Sequence, residues 1–336
     1  MLEFKEFYVA KFIANQCYDS SMSDINHNQV RFITITAANA GQRIDNFLIK
    51  EYKFLPRTAI YKLLRKGEIR VNKKRTKPVK KLEVGDEVRI APIRDVPVTN
   101  EPEQVSQRLL TLLEKSIILE DNHIIVINKP AGIAVHGGTD NKHGVIEILR
   151  QLKPELEFLE LAHRIDKETS GLLLLAKNRV SLLDLHDSFK TGNLNKQYQT
   201  LVLGKWVGGE RRVENYLERS KGGMQNMRVN EVEEGKRAES IFTPMKSFSE
   251  NSLLAVRLMT GRMHQIRTQL ADLNLPIAGD GKYGDFAGNR AFSRKTGLKR
   301  LFLHAYRVDF KLAHNNKVYK LEAPLADDLQ AVLDKL

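Results

Sequence analysis

One cysteine, Cys17, stands in 336 residues. A lone thiol closes no internal disulfide and builds no thiolate zinc cluster, and such usage is expected of a cytoplasmic protein. Long apolar runs are also lacking. Ile124 to Ile127 and Leu172 to Ala176 suit buried strands and fall far short of the roughly 20 residues of a bilayer-spanning helix. Glu3 and Glu6 precede the apolar Phe7 to Ala14 and no small-residue cleavage site follows, so no signal peptide is expected. The nine histidines are scattered, with no pair at i, i+4 beside a glutamate, so no metal site is expected. There are no internal repeats and no low-complexity tract. With 42% hydrophobic residues the chain is nevertheless globular, and long enough for two domains.

What the chain has in excess is positive charge, and the excess is local. Between Arg57 and Lys81 lie eleven basic residues and one acid, Glu68, so this short segment carries +10 of the net +13. Charge so concentrated marks a surface for a polyanion, against the plainer reading of a solvated basic face. Asp45 to Ile49 and Ile60 to Leu64 show apolar residues at helical spacing. Pro56 suits the first turn of the second helix and Gly67 its end. Short strands are predicted at Ile69 to Val71 and Asp86 to Ile90. Two helices and small strands with cations on the second helix and the loop after it would position nucleic acid through its phosphates. The predicted contacts are Arg57, Lys62, Arg65, Lys66, Arg70, Lys73, Lys74 and Arg75.

Residues 1–30 are expected to be a disordered extension, 31–92 the basic module, 93–115 a linker with a helical stretch around Leu109 to Leu113, and 116–336 a second domain. In that domain strands are predicted at Ser116–Leu119, Ile124–Asn128, Leu172–Ala176, Gln197–Leu203, Ala238–Ser247, Leu253–Met259, Leu301–Leu312 and Lys317–Glu322. Helices are predicted near Gly144–Leu152, Val180–Thr191, Arg262–Leu273 and Leu325–Leu336. Strands and helices mix without the alternation of a doubly wound fold, which predicts an α+β domain on a mainly antiparallel mixed sheet.

Three short motifs mislead. Gly279 to Gly284 matches G-x-G-x-x-G, but no full strand precedes it and no amphipathic helix is predicted to open from it, so nucleotide binding is set aside. His163-Arg164-Ile165-Asp166 and Asp285-Phe286-Ala287 resemble kinase motifs only superficially: the spacing is wrong in the first, the glycine is missing from the second, and no Gly-rich phosphate loop exists. Asp166 and Glu168, two residues apart on one extended segment, would lie roughly 6–7 Å apart at the backbone, within the range of glycosidase carboxylates. Those pairs normally project from different elements, so Glu168 is read as facing solvent.

Asp166 itself sits in a polar hinge, residues 163–171, that feeds a strand apolar on both faces. An aspartate among Lys, Glu, Thr and Ser is ordinarily a turn former or cap. A carboxylate held by rigid backbone near water-poor surroundings is also where a nucleophile or base belongs. Further segments decide between these readings: Asn128-Lys129-Pro130-Ala131-Gly132, Lys196-Gln197-Tyr198, Thr260-Gly261-Arg262-Met263-His264-Gln265-Ile266-Arg267, Gly279-Asp280 with Tyr283-Gly284, and Leu303-His304-Ala305. In this order, with the hinge, they resemble the signature set of the RluA-type pseudouridine synthases over about residues 30–336. The basic module is similar to the S4 RNA-binding domain many of them carry. The wording around Ala134 to Gly138 is nearest a subgroup acting on the large ribosomal subunit.

The resemblance implies that Asp166 is the catalytic aspartate, Tyr198 the aromatic group packing on the target base, Arg267 the arginine paired with the aspartate, and Arg164 the side chain filling the gap left by a flipped nucleotide. Ile165, Lys167 and Glu168 depart from the family's usual His-Arg-Leu-Asp-Arg-Asp wording but keep size or charge. It also implies 23S ribosomal RNA or a pre-ribosomal particle as partner, no cofactor, no membrane, and a monomer. The reaction breaks C1′–N1, turns the uracil and forms C1′–C5, with no redox change. Three routes are open to an ionised carboxylate: attack at base or sugar, stabilisation of positive charge at C1′, or removal of a sugar proton. Burial beside Leu172 to Leu175 disfavours the charged form, and an arginine within reach offsets that. Lys129-Pro130-Ala131-Gly132 is read as a structural turn. The competing functions are the same chemistry on other uridines, in ribosomal or transfer RNA, and a non-catalytic S4-type assembly factor.

Overall fold

The protein is described here from a computed structural model covering residues 29–52, 55, 57–92, 105–137, 143–219, 227–230 and 235–336. The chain splits into two units between residues 103 and 104. No described helix is long and apolar enough to cross a membrane. The expected N-terminal extension, apart from its last residues, and Pro56 lie outside the described residues.

The first unit runs β1 (Arg31–Thr34), α1 (Ile44–Glu51), α2 (Arg57–Lys66), β2 (Ile69–Val71), β3 (Lys74–Arg75) and β4 (Glu87–Ile90). The strands pair antiparallel in the order β1-β4-β2-β3. Phe47 and Leu48 of α1 and Ile60 and Leu64 of α2 bury against Ile69, Val71, Val88 and Ile90, one face of each element closing a small core. Asn72 and Lys73 both take positive φ, the pattern of a two-residue hairpin turn, and this sets Lys73 and Lys74 at an exposed tip.

The second unit opens with α3 (Gln107–Lys115), β5 (Ile117–Glu120) and β6 (Ile124–Lys129), followed by α4 (Val145–Leu152), β7 (Glu160–Leu161), β8 (Ser170–Ala176), α5 (Arg179–Thr191) and β9 (Asn195–Leu203). Then come β10 (Arg211–Arg219), β11 (Met227–Asn230), β12 (Lys236–Ser247), β13 (Asn251–Leu258), α6 (Gln265–Asp272), α7 (Phe286–Thr296), β14 (Leu303–Lys311), β15 (Val318–Glu322) and α8 (Asp327–Leu333). The described strands form one sheet in the order β11-β10-β12-β13-β9-β14-β8-β6-β5, with β15 on β14 and β7 on β8. Every join is antiparallel except β14 with β8. That parallel seam joins two antiparallel halves, and the hinge carrying Asp166 enters it.

Strand β8 is buried along its whole length. Leu173 and Leu175 pack with Ile125, Ile127 and the α4 residues Val145, Ile148 and Leu149 on one face. Gly171 opens the strand at φ +106°, and a Cβ there would lie 2.2 Å from the Ala305 carbonyl oxygen. No larger residue fits that approach of β8 to β14.

Several expectations need correction. The segment 93–115 is not all linker: 93–104 lies outside the described residues, while α3 buries Leu113 in the core of the second unit. A helix does open after Gly284. Asp285 caps α7 by accepting the Ala287 N–H at 2.9 Å, and Gly297 ends it in the left-handed conformation. It escapes sequence reading because only Phe292 and Thr296 are buried and Gly288, Asn289 and Ser293 form helix weakly. Strands β10 and β11 were not anticipated, since Arg, Glu and Asn crowd out the apolar alternation. The helix expected from Arg262 begins only at Gln265, after His264 turns to φ +55°.

Candidate active site

Asp166, Tyr198 and Arg267 are brought to one cleft of about 620 Å³. They arrive from three neighbouring elements: the hinge before β8, strand β9 on the far side of β14, and helix α6 after β13. The hinge is tied from behind. Lys129 is fully buried, and its ammonium donates to the carbonyl oxygens of Pro130 at 2.8 Å, Ile133 at 2.9 Å and Lys167 at 3.1 Å. Three acceptors match the three donors of the charged form, although burial pushes the group down to about 7. Gly132 N–H also donates to the Lys167 oxygen at 2.8 Å, and Thr169 N–H to the Asp166 oxygen at 3.1 Å. At the seam, Ser170 Oγ meets His304 Nδ1 at 2.9 Å and accepts from Arg300 at 3.2 Å. The Lys-Pro-Ala-Gly turn and His304 therefore hold the hinge from outside the cleft, while Leu303 of the Leu-His-Ala segment lines it.

His163 turns inward. Its Nε2 accepts the Leu174 N–H at 3.1 Å, and burial, with Lys196 nearby, pushes it down to about 3. It is a neutral ring that pins the hinge to β8. Arg164 is exposed on the cleft rim, and Glu168 is exposed outside the cleft lining.

Arg267 does not give its fork to Asp166. Its Nε and Nη2 donate to Asp280 at 2.8 and 2.7 Å, a bidentate pair, while Nη1 reaches Asp166 Oδ2 at 3.4 Å. Asp280 also accepts from the Lys282 and Tyr283 N–H groups at 2.8 and 3.0 Å. Burial would raise the Asp280 carboxyl, but these bonds and the Arg267 charge hold it below its ordinary range. The arginine is thus held by a fully neutralising partner and offers its remaining edge to Asp166. The G-x-G-x-x-G reading fails here as well, because Asp280 takes the Lys282 and Tyr283 N–H groups and Asn289 the Gly279 N–H that a phosphate would need.

His264 stands on the other side, its Nε2 3.8 Å from Asp166 Oδ2 and its Nδ1 2.7 Å from the Tyr283 hydroxyl. Tyr198 is buried, with its hydroxyl held above the ordinary range by desolvation and by the charge of Asp166. Lys196, two residues earlier on the same strand face, lies 5.0 Å over the Phe189 ring, and burial lowers it to about 8. Among the described residues Asp166 is the one carboxylate lining the cleft, while Arg164, Lys190, Lys196, Arg262 and Arg267 supply cations. Among the described residues no three His, Cys, Asp or Glu side chains gather as metal ligands do.

Sequence reasoning missed Asp280, Lys196 and His264 as parts of this site. Each lay inside a segment singled out for its resemblance, so the signal was present, but nothing in the spacing told which side chain turns inward. In the first unit Lys62, Arg65, Lys66, Arg70, Lys73, Lys74 and Arg75 are exposed, and the Arg57 side chain lies outside the described residues.

Comparison with known proteins bears on both units. Residues 123–272 match the RNA pseudouridylate synthase family and residues 42–88 the S4 domain family. Ribosomal large subunit pseudouridine synthase C of Escherichia coli is 45% identical over 91% of this chain and 97% of its own length. Its namesakes from Vibrio cholerae and Haemophilus influenzae are 43% and 40% identical, each over 97% of its length. Among solved structures, human RNA pseudouridylate synthase domain containing 4 shares the fold, with a TM-score of 0.57 and 24% identity over 68% of this chain and 95% of its own.

Proposed function

The chain belongs to the RNA pseudouridylate synthase family, and from that premise we propose that it isomerises uridines of 23S ribosomal RNA, with Asp166 as the acting carboxylate. The observation that carries this reading is the cleft itself: one partly exposed carboxylate, 21% accessible, among five cations. Two-carboxylate glycoside chemistry has no second acid to use there. A pure RNA-binding factor has no need of an aspartate braced by a buried, pre-neutralised arginine.

The target uridine is extruded from its stack into the cleft. Tyr198 gives its base an aromatic face, worth about 1–3 kcal/mol in stacking. Arg164, on the rim, occupies the gap left behind, and Lys190, Lys196 and Arg262 meet flanking phosphates. Asp166 then acts on the uridine, at the base, at C1′ or on a sugar proton, while C1′–N1 breaks. The freed uracil rotates, C1′–C5 forms, the C5 proton passes to solvent and N1 is left protonated, so the product is an isomer. Arg267 keeps its Nη1 3.4 Å from Asp166 Oδ2 without moving, because Asp280 fixes it. The exposed cations of the first unit serve as a clamp on RNA backbone. The enzyme works as a monomer in the cytoplasm, without a cofactor.

Incubation with a 23S transcript tritiated at uracil C5 tests this. Wild type should release tritium and leave pseudouridine in the RNA, and Asp166→Ala should not. Absence of release by wild type, or undiminished release by the variant, sinks the assignment.

A further inference from the structure

A second groove, of about 540 Å³, lies between α7 and the loop 279–281. From Phe286 to Arg300 the chain has five cations and no acid. Phe286, Arg290, Ser293 and Arg294 fall at i, i+4, i+7 and i+8, on one stripe of α7, while Phe292 and Thr296 turn into the core. Lys299 continues the groove beyond the helix. Arg290, Arg294 and Lys299 are exposed, and none is paired with a carboxylate among the described residues. Phe286 is 56% accessible at the end of the same stripe.

The groove is built rigidly. Asn289 accepts the Gly279 N–H at 2.7 Å and donates to the Asp280 oxygen at 3.0 Å, fastening α7 to the loop. At Gly281 a side chain would point into open space, leaving the floor clear. The loop also turns its other residues inward: Asp280 holds Arg267 and Tyr283 meets His264. One short loop therefore borders the groove and braces two residues of the cleft, Arg267 and His264.

Resting on the reading of the cleft as an RNA site, we propose that this groove is a second RNA-contact surface, taking a single-stranded stretch of the substrate away from the target nucleotide. Its phosphates lie on Arg290, Arg294 and Lys299, and one unstacked base lies on Phe286. Charge complementarity favours a polyanion, and an exposed aromatic beside cations is the arrangement that holds single strands without reading sequence.

The test uses the full chain and an unmodified 23S ribosomal RNA transcript. Affinity is measured across a salt series, and pseudouridine formation is followed separately. Arg290→Ala/Arg294→Ala/Lys299→Ala should flatten the log–log salt dependence by about 2, at about 0.7 per phosphate on a single strand, and raise KM while leaving kcat. Arg290→Lys/Arg294→Lys should keep the slope. Phe286→Ala should weaken binding at least about fivefold with the slope unchanged, and Phe286→Trp should restore it. A melting temperature kept by every variant guards against misfolding. An unchanged slope and KM in the triple variant would leave only a solvated basic face and overturn the proposal. A wild type that binds RNA through this slope but forms no pseudouridine would instead sink the functional reading and spare the groove.

Discussion

Between Arg57 and Lys81 cations stand exposed and crowded, with Lys66 and Lys80 reaching carboxylates only at 3.6 and 3.3 Å. In the cleft the opposite holds: Arg267 is 8% accessible, its fork closed on a carboxylate that is itself 1% accessible. The first arrangement keeps its charges hydrated and mutually repelling until a polyanion arrives, and each contact is weak and replaceable. The second has already given up hydration and compensates with fixed geometry, so that one remaining guanidinium edge can act on one aspartate. Exposed charge is suited to holding a substrate, and buried, paired charge to placing a reacting group. The two regions should therefore respond to mutation in different currencies.

The sharpest break is at Asp166. Asp166→Asn keeps size and removes the charge, and turnover should fall about a thousandfold or more while RNA affinity stays within a few fold. Pseudouridine formation and filter binding on the same preparations check both halves. Loss of binding in parallel would mean that the aspartate serves the fold or the grip. Next in size is Asp280→Ala, which strands a buried guanidinium. It should cost about 3–5 kcal/mol in urea unfolding as well as activity. Asp280→Asn should cost less, because it still accepts from Lys282 and Tyr283. A stability change of under about 1 kcal/mol for Asp280→Ala would show that Asp166 or water replaces the lost partner.

How much of this was legible differs between the regions for the same reason. Exposed charge is visible in composition, so the basic segment and its neighbouring helices could be read from Arg57 to Lys81 directly. The catalytic sheet was legible where burial on both faces writes a continuous apolar run, as in Leu172 to Ala176, and illegible at β10, where Arg-Arg-Val-Glu-Asn buries little. Within the site, the hinge and Arg267 stood out in their motifs. That Asp280, not Asp166, takes the strong fork was not readable, because it depends on the parallel seam and on the turn at His264, which join residues 101 and 13 positions apart. The tripod on Lys129 is of the same kind. A lysine in a sequence reads as surface, and only the fold shows three carbonyls converging on it.

The exposed region should yield a smaller effect of another kind. Lys73→Ala/Lys74→Ala/Arg75→Ala, at the hairpin tip and its flank, should leave stability within about 0.5 kcal/mol. It should flatten the salt dependence of RNA affinity by up to about 2 units. An unchanged slope would return these cations to the role of a solvated face, and a large loss of stability would contradict their exposure.

The last expected effect concerns pH and belongs to the buried side of the comparison. His163 is pushed from its ordinary 6.5 down to about 3, first by burial and then by Lys196. Below about pH 6.5 the unfolded chain takes up a proton that the folded ring refuses. The stability tied to this group is therefore complete above that pH and drains as pH falls toward 3, by up to about 1.4 kcal/mol per pH unit. His163→Gln keeps an acceptor for the Leu174 N–H and does not titrate, so its urea midpoint should fall less steeply than that of wild type between pH 6 and 4. Equal slopes for the two proteins would mean that the ring charges in place and that the hinge is less closed than Leu174 implies.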